Sequence, residues 1–183
     1  MYFRTALFVG SLALSHGSLA QTNPPILVRV DPAAIEVQAG ELFTANLIAD
    51  LGPHKVIGWG LDLAYGNSVL TQVGKPVIGP LWMASFAPDG DGLTGFSRAG
   101  STGGEGVLLA RLTFRADTPG QTQLLPSYTP VDLNEGFPLD PIGFATIAFQ
   151  PAAVNVVPEP GGMSLMAVLI GLFLRPRRRQ HPM

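Results

Sequence analysis

At 183 residues the chain has room for one domain of ordinary size with short appendages. It contains 22 Gly, 17 Pro and only 13% charged residues, which disfavours both long helices and a disordered polyelectrolyte. Cys is absent, which excludes disulfides, thiolate zinc sites and Cys nucleophiles, and residues 21–156 carry 6 Lys/Arg against 12 Asp/Glu, a balance of −6 that repels nucleic acid.

The chain opens as a secretory signal. Arg4 supplies a positive n-region, Thr5 to Leu14 forms an apolar run, and Ser18-Leu19-Ala20 puts small residues where signal peptidase reads. Cleavage is therefore expected between Ala20 and Gln21. The run is apolar all round, whereas a helix packed on a core would keep a polar face.

From residue 26 a period of two takes over. Val28 and Val30 alternate with Arg29 up to Asp31-Pro32, and Ile35 and Val37 follow. Ala39-Gly40-Glu41 makes a turn into Phe43, Ala45 and Leu47, which share a face opposite Thr44 and Asn46. Leu51 to His54 reads as a loop. Trp59, Leu61, Leu63 and Tyr65 then form an apolar face opposite Gly58, Gly60, Asp62 and Ala64. The longest alternation places Leu108, Ala110, Leu112, Phe114 and Ala116 inward, with Leu109, Arg111, Thr113 and Arg115 outward. Pro119-Gly120 turns the chain into Thr122–Leu125, and Ile147, Phe149, Val154 and Val156 close the domain. Short strands separated by Gly/Pro turns predict an all-β sandwich over residues 21–156, without internal repeats.

Catalytic patterns are missing from this span. His54 is its one histidine, expected on an exposed loop, and there is no Gly-x-Ser-x-Gly elbow to place a nucleophile against it. Gly100 to Gly106 is glycine-rich but lacks the Gly-Lys-Ser/Thr ending of a phosphate loop, and reads as a flexible loop before a strand. Asp89 and Asp91 are spaced to share a Ca²⁺, yet Gly100 stands where an EF-hand needs its bidentate Glu, and an Asp-Gly turn is the alternative. Asp62, Asp89, Asp91 and Glu105 supply carboxylates without a pattern that sets two across a sugar ring. Leu81 to Phe86 reads either as a buried strand or as a surface presenting Trp82 and Phe86 to a ligand. No metal or cofactor is expected, and the domain reads as non-enzymatic.

The C-terminus, residues 157–183, has its own logic. Val157-Pro158-Glu159-Pro160-Gly161-Gly162 precedes an apolar helix, Met163 to Leu174, and then Arg175-Pro176-Arg177-Arg178-Arg179. Twelve helical residues span about 18 Å against a hydrocarbon core near 30 Å, so the segment suits a transient stop better than a lasting anchor. The arginines set a stop-transfer cluster on the cytoplasmic side. Motif, apolar stretch and terminal Arg cluster, in that order, resemble the PEP-CTERM sorting signal of Gram-negative bacteria. The resemblance implies recognition of Pro158-Glu159-Pro160 by an exosortase, contact with the secretion machinery and transient residence in the inner membrane. Delivery to the envelope or outside, alongside exopolysaccharide, would follow.

The middle also resembles a known domain. Val28-Arg29-Val30-Asp31-Pro32, Gly40-Glu41-Leu42-Phe43-Thr44, Gly58 to Leu70, and Gly106 to Ala116 with Pro119-Gly120 are similar in order to the cohesin-like domain of cellulosome scaffoldins. That family folds as a jelly-roll β-sandwich. Its third stretch ends in a Tyr-Asp-x-x-x-Leu turn, and here Gly66 stands in place of the Asp. The resemblance implies an exported interaction module that binds another surface protein or a polysaccharide. The alternatives are a polysaccharide-acting enzyme and a purely structural matrix protein.

Overall fold

The computed structural model describes residues 23–84, 93–130, 132 and 134–159. Among them all regular structure is strand: β1 (Ile26–Asp31), β2 (Ala34–Gln38), β3 (Leu42–Asp50), β4 (Gly52–Val56), β5 (Gly58–Gly60), β6 (Asp62–Ala64), β7 (Leu70–Gln72), β8 (Val77–Ile78), β9 (Trp82–Ala84), β10 (Thr94–Ser97), β11 (Thr102–Gly104), β12 (Val107–Ala116), β13 (Gly120–Ser127), β14 (Ile147–Gln150) and β15 (Ala152–Val157). One layer runs β14-β1-β3-β12-β7, with β8 also on β12. The other runs β2-β15-β13-β6 and continues into β5-β10-β9, because β5 and β6 follow one another along Gly58 to Ala64. The start and end of the domain lie side by side: β1 pairs in parallel with β14 in the first layer, and β2 with β15 in the second.

Alternation builds the core. Val28, Val30, Ala45, Leu47, Ala49, Leu112, Phe114 and Ala116 from one layer meet Leu61, Leu124, Val154 and Val156 from the other, each at most 3% exposed. Phe114 stacks on Phe43 at 5.6 Å between centroids and takes the edge of Tyr65 at 5.1 Å. Apart from Ala49 and Leu124, these belong to the inward faces read from sequence, whereas Leu108, expected inward, is partly exposed and pairs with Ile48; the architecture is the expected β-sandwich. Among the described residues no helix is long and apolar enough to cross a membrane; the two terminal helices expected from sequence lie outside those residues.

Four further expectations are corrected. Leu109 is buried rather than outward. The β12–β3 register slips between Leu108 and Ala110, so Leu109 is the extra residue of a β-bulge and turns inward beside its neighbour Ala110. His54 is 7% exposed and sits in β4, where its Nε2 donates to Pro24 O at 2.8 Å. A carbonyl only accepts, so that nitrogen carries the hydrogen. The glycine-rich stretch expected as a loop contains β11, which pairs with β4 and accepts Leu51 N at Gly104 O (2.7 Å). Finally, Trp59 to Tyr65 is not one strand. Gly60 exchanges backbone hydrogen bonds with Gly136 (3.0 and 2.7 Å), so the chain changes partner there: β5 pairs with β10 and β6 with β13.

Candidate interaction surface

Trp82 does not face a ligand. It is 1% exposed, its indole N–H donates to Leu108 O at 3.1 Å, and its ring meets Trp59 edge-on at 6.3 Å and 81°. Its polar edge is thus satisfied inside the sandwich, and period two sends the next side chain, Met83, outward. Met83 pairs directly with Phe96 of β10, and Phe96 pairs with Gly58 of β5. The Phe96 ring lies over Gly58: a Cβ there would sit 3.1 Å from Phe96 Cδ1. The ladder continues one rung further, with Arg98 N donating to Leu81 O at 3.0 Å.

The outer face of β5-β10-β9 therefore carries Phe96, Met83 and Leu81 at 51, 45 and 49% exposure, with exposed Arg98 beside them. Arg98 Nε donates to Trp82 O at 2.9 Å, which pins the guanidinium to the strand edge. An aromatic ring, a Met and an Arg on a rigid sheet are the residue types enriched in the centre of protein interfaces. Singly exposed apolar residues are commonplace, but three on adjacent rungs form a patch.

The other half of the same outer face is polar. Glu36, Asn155 and Gln121 form one cross-strand rung, and Ala34, Ala153 and Gln123 the next. The small alanines leave a cleft of about 560 Å³ bordered by these amides and Glu36. The two halves are divided by the segment around Asn134, whose carbonyl lies 1.9 Å from where a Gly60 Cβ would be, so only glycine admits it.

Of the remaining sequence-predicted residues, Pro158 and Glu159 are exposed just beyond β15, where Ala39 N donates to Val157 O at 2.9 Å. The carboxylate of Glu159 lies over the Gly40 turn, 3.2 Å from where a Cβ would sit. Ala20, Gln21, Phe86, Asp89, Asp91, Pro160, Arg175, Arg177, Arg178 and Arg179 lie outside the described residues. Asp62 and Glu105 are on different elements, Asp62 in β6 facing Thr129 Oγ1 at 3.4 Å and Glu105 in the turn before β12. Among the described residues no three His, Asp or Glu gather as a metal-binding group. Sequence reasoning passed over Phe96 altogether. Its only signal was a lone aromatic in Thr94-Gly95-Phe96-Ser97, too short for a period to be read.

The two-layer all-β fold is shared with solved structures. The fold matches a non-cellulosomal cohesin from the archaeon Archaeoglobus fulgidus, with a TM-score of 0.55, 14% identity, and coverage of 78% of this chain and 98% of that one. A cohesin module from a Clostridium perfringens family 33 glycoside hydrolase matches at 0.55 and 10% identity, covering 74% and 97%. The third ScaB cohesin of R. flavefaciens, solved with a group 1 dockerin, matches at 0.50 and 11%, covering 74% and 96%. No family model and no curated protein matches the chain. The domain has the cohesin fold.

Proposed function

We propose that the protein is an exported, non-enzymatic module that binds a partner protein through the Phe96–Met83–Leu81–Arg98 face. The observation that carries this reading is the cross-strand pair Phe96–Met83, half exposed on a sheet whose other side buries Trp59, Trp82 and Ser97. The fold supports it, since a cohesin of the same fold was solved with a dockerin bound. In this reading the signal ending at Ala20 directs export. The Pro158-Glu159-Pro160 motif, apolar helix and Arg cluster hold the chain in the inner membrane until an exosortase acts, leaving the domain in the envelope or outside.

Crosslinking on the native cell surface, followed by rebinding of the purified partner, tests the interface. Phe96→Ser and Met83→Ser should each weaken rebinding at least tenfold with little change in stability, because neither side chain is in the core. Undiminished rebinding by the double variant would remove the face from consideration. A second reading, polysaccharide binding, is favoured by the amide-lined cleft at Glu36, Gln121, Gln123 and Asn155. A glycan array separates the two, and turnover of any polysaccharide by the purified protein would defeat both.

A further inference from the structure

Where β13 ends, a pocket of about 220 Å³ is lined by Tyr128, Asp132, Glu135, Gly136, Phe144 and Ile147, among others. This volume lies below the ~300 Å³ lower end of sites for drug-sized molecules, and suits one long side chain. Its aromatic lining is held in place. Tyr128 packs on Phe149 at 6.0 Å, and the Phe144 ring lies against Gly136, 3.2 Å from where a Cβ would be, while Phe144 bridges to Pro138. Gly136 has φ +97°, so a side chain there would be strained as well as blocked. Both rings remain partly open to solvent, at 38% for Tyr128 and 52% for Phe144.

The lining also carries two carboxylates. Glu135 is 6% exposed and accepts a hydrogen bond from Thr129 N, while Asp132 Oδ1 accepts Asn134 N at 2.9 Å. Aromatic faces attract cations through their quadrupole, and a carboxylate in a part-dry pocket acts on a cation more strongly than in water. The acidic domain adds a field of the same sign, which draws cations toward it.

We infer that this pocket is a second recognition site, one that takes a basic side chain, arginine or lysine, of the partner protein. The inference deepens the protein-binding reading above and rests on it. The two sites divide the work: the flat apolar face supplies contact area, and the pocket selects partners that present a cation at the right distance from it.

The test is an NMR titration of the isotope-labelled full chain in non-ionic detergent. The probes are N-acetyl-arginine methylamide and its uncharged isostere N-acetyl-citrulline methylamide. The arginine probe should shift amides of residues 128–136 and 144–147, and citrulline should bind at least tenfold more weakly. Glu135→Gln keeps an oxygen acceptor for Thr129 N while removing the charge; combined with Asp132→Asn it should abolish the shifts, while Tyr128→Phe should retain them. Equal affinity for the two probes, shifts that map elsewhere, no binding of the arginine probe, or unaltered binding by the double variant would each overturn the assignment. None of these results touches the Phe96 experiment, so the pocket can fail while the partner-binding face stands.

Discussion

Phe114 packs against two other rings. It is fully buried on β12, flanked by Phe43 and Tyr65. Truncation to Ala removes a ring that two others rest on, so Phe114→Ala should cost about 3–5 kcal/mol in urea unfolding. A change within about 0.5 kcal/mol would place it at the surface. Trp59 presents a different case: its Nε1 is buried with no hydrogen-bond partner among the described residues, and its ring lies in a T-shaped pair with Trp82.

Asp117, just past β12, shows electrostatics at the same scale. The hydrogen bond from Thr71 Oγ1, and then that from Arg115, hold its carboxyl below the usual carboxylate range. A depressed folded-state pKa means stability that is present above the unfolded-state pKa and lost as pH falls through the folded one. Thr71→Val should move the carboxyl back toward its ordinary value in an NMR titration. The stability deficit of that variant should be present at neutral pH and vanish in acid; a deficit independent of pH would assign it to lost packing.

At the scale of elements, the bulge in β12 organises its neighbours. The extra residue redirects two successive carbonyls: Leu108 O accepts the Trp82 indole, and Leu109 O accepts Gly79 N at 2.7 Å. Gly79 approaches so closely that a Cβ would lie 2.0 Å from Leu108 O. Because that atom is backbone, no rotamer change relieves the clash and the segment before β9 must move. Gly79→Ala should cost about 1–3 kcal/mol, in the range of overpacking, and shift Trp fluorescence as the indole leaves Leu108 O. Unchanged fluorescence and stability would show that β9 is not held by the bulge. The same element sets the surface, since fixing Trp82 inward is what turns Met83 out.

For the whole molecule, the expected address signals lie in sequence outside the strands that carry the proposed faces. Mature exported protein should begin at Gln21 by N-terminal sequencing, and a form that keeps Met1 would end the signal-peptide reading. Replacing Pro158, Glu159 and Pro160 with alanines removes the two φ-restricting residues around Glu159, so that the apolar helix expected from sequence at residues 163–174 should extend backwards. That variant should accumulate in the membrane fraction with Arg175 to Arg179 attached. Wild-type molecules in their native host that all retain Arg177 to Arg179 would make the tail a plain anchor. Val157 is the last residue of β15, so the motif follows the folded domain without a spacer.

Period-two alternation in long strands needs only local chemistry, which is why β1 and β3, and β12 from Ala110 to Ala116, were legible from sequence, while the start of β12 at Val107 to Leu109 was not. Where a strand has nine or ten residues, the apolar face outvotes local exceptions. Short elements carry no such majority. The bulge that turns Leu109 inward depends on the register with β3, and β11 forms from a glycine-rich stretch because β4 offers it an open edge. Whether Trp82 or Met83 faced solvent was undecidable in an apolar run, since either parity fits. The choice was made by two distant groups, Leu108 O and the Trp59 ring, that could accept the indole. The pocket at Tyr128, Glu135 and Phe144 joins side chains from both sides of a long connection, and no spacing rule links them. Local pattern determined the sandwich; burial of polar edges, bulged register and close glycine contacts decided which residues it shows to solvent.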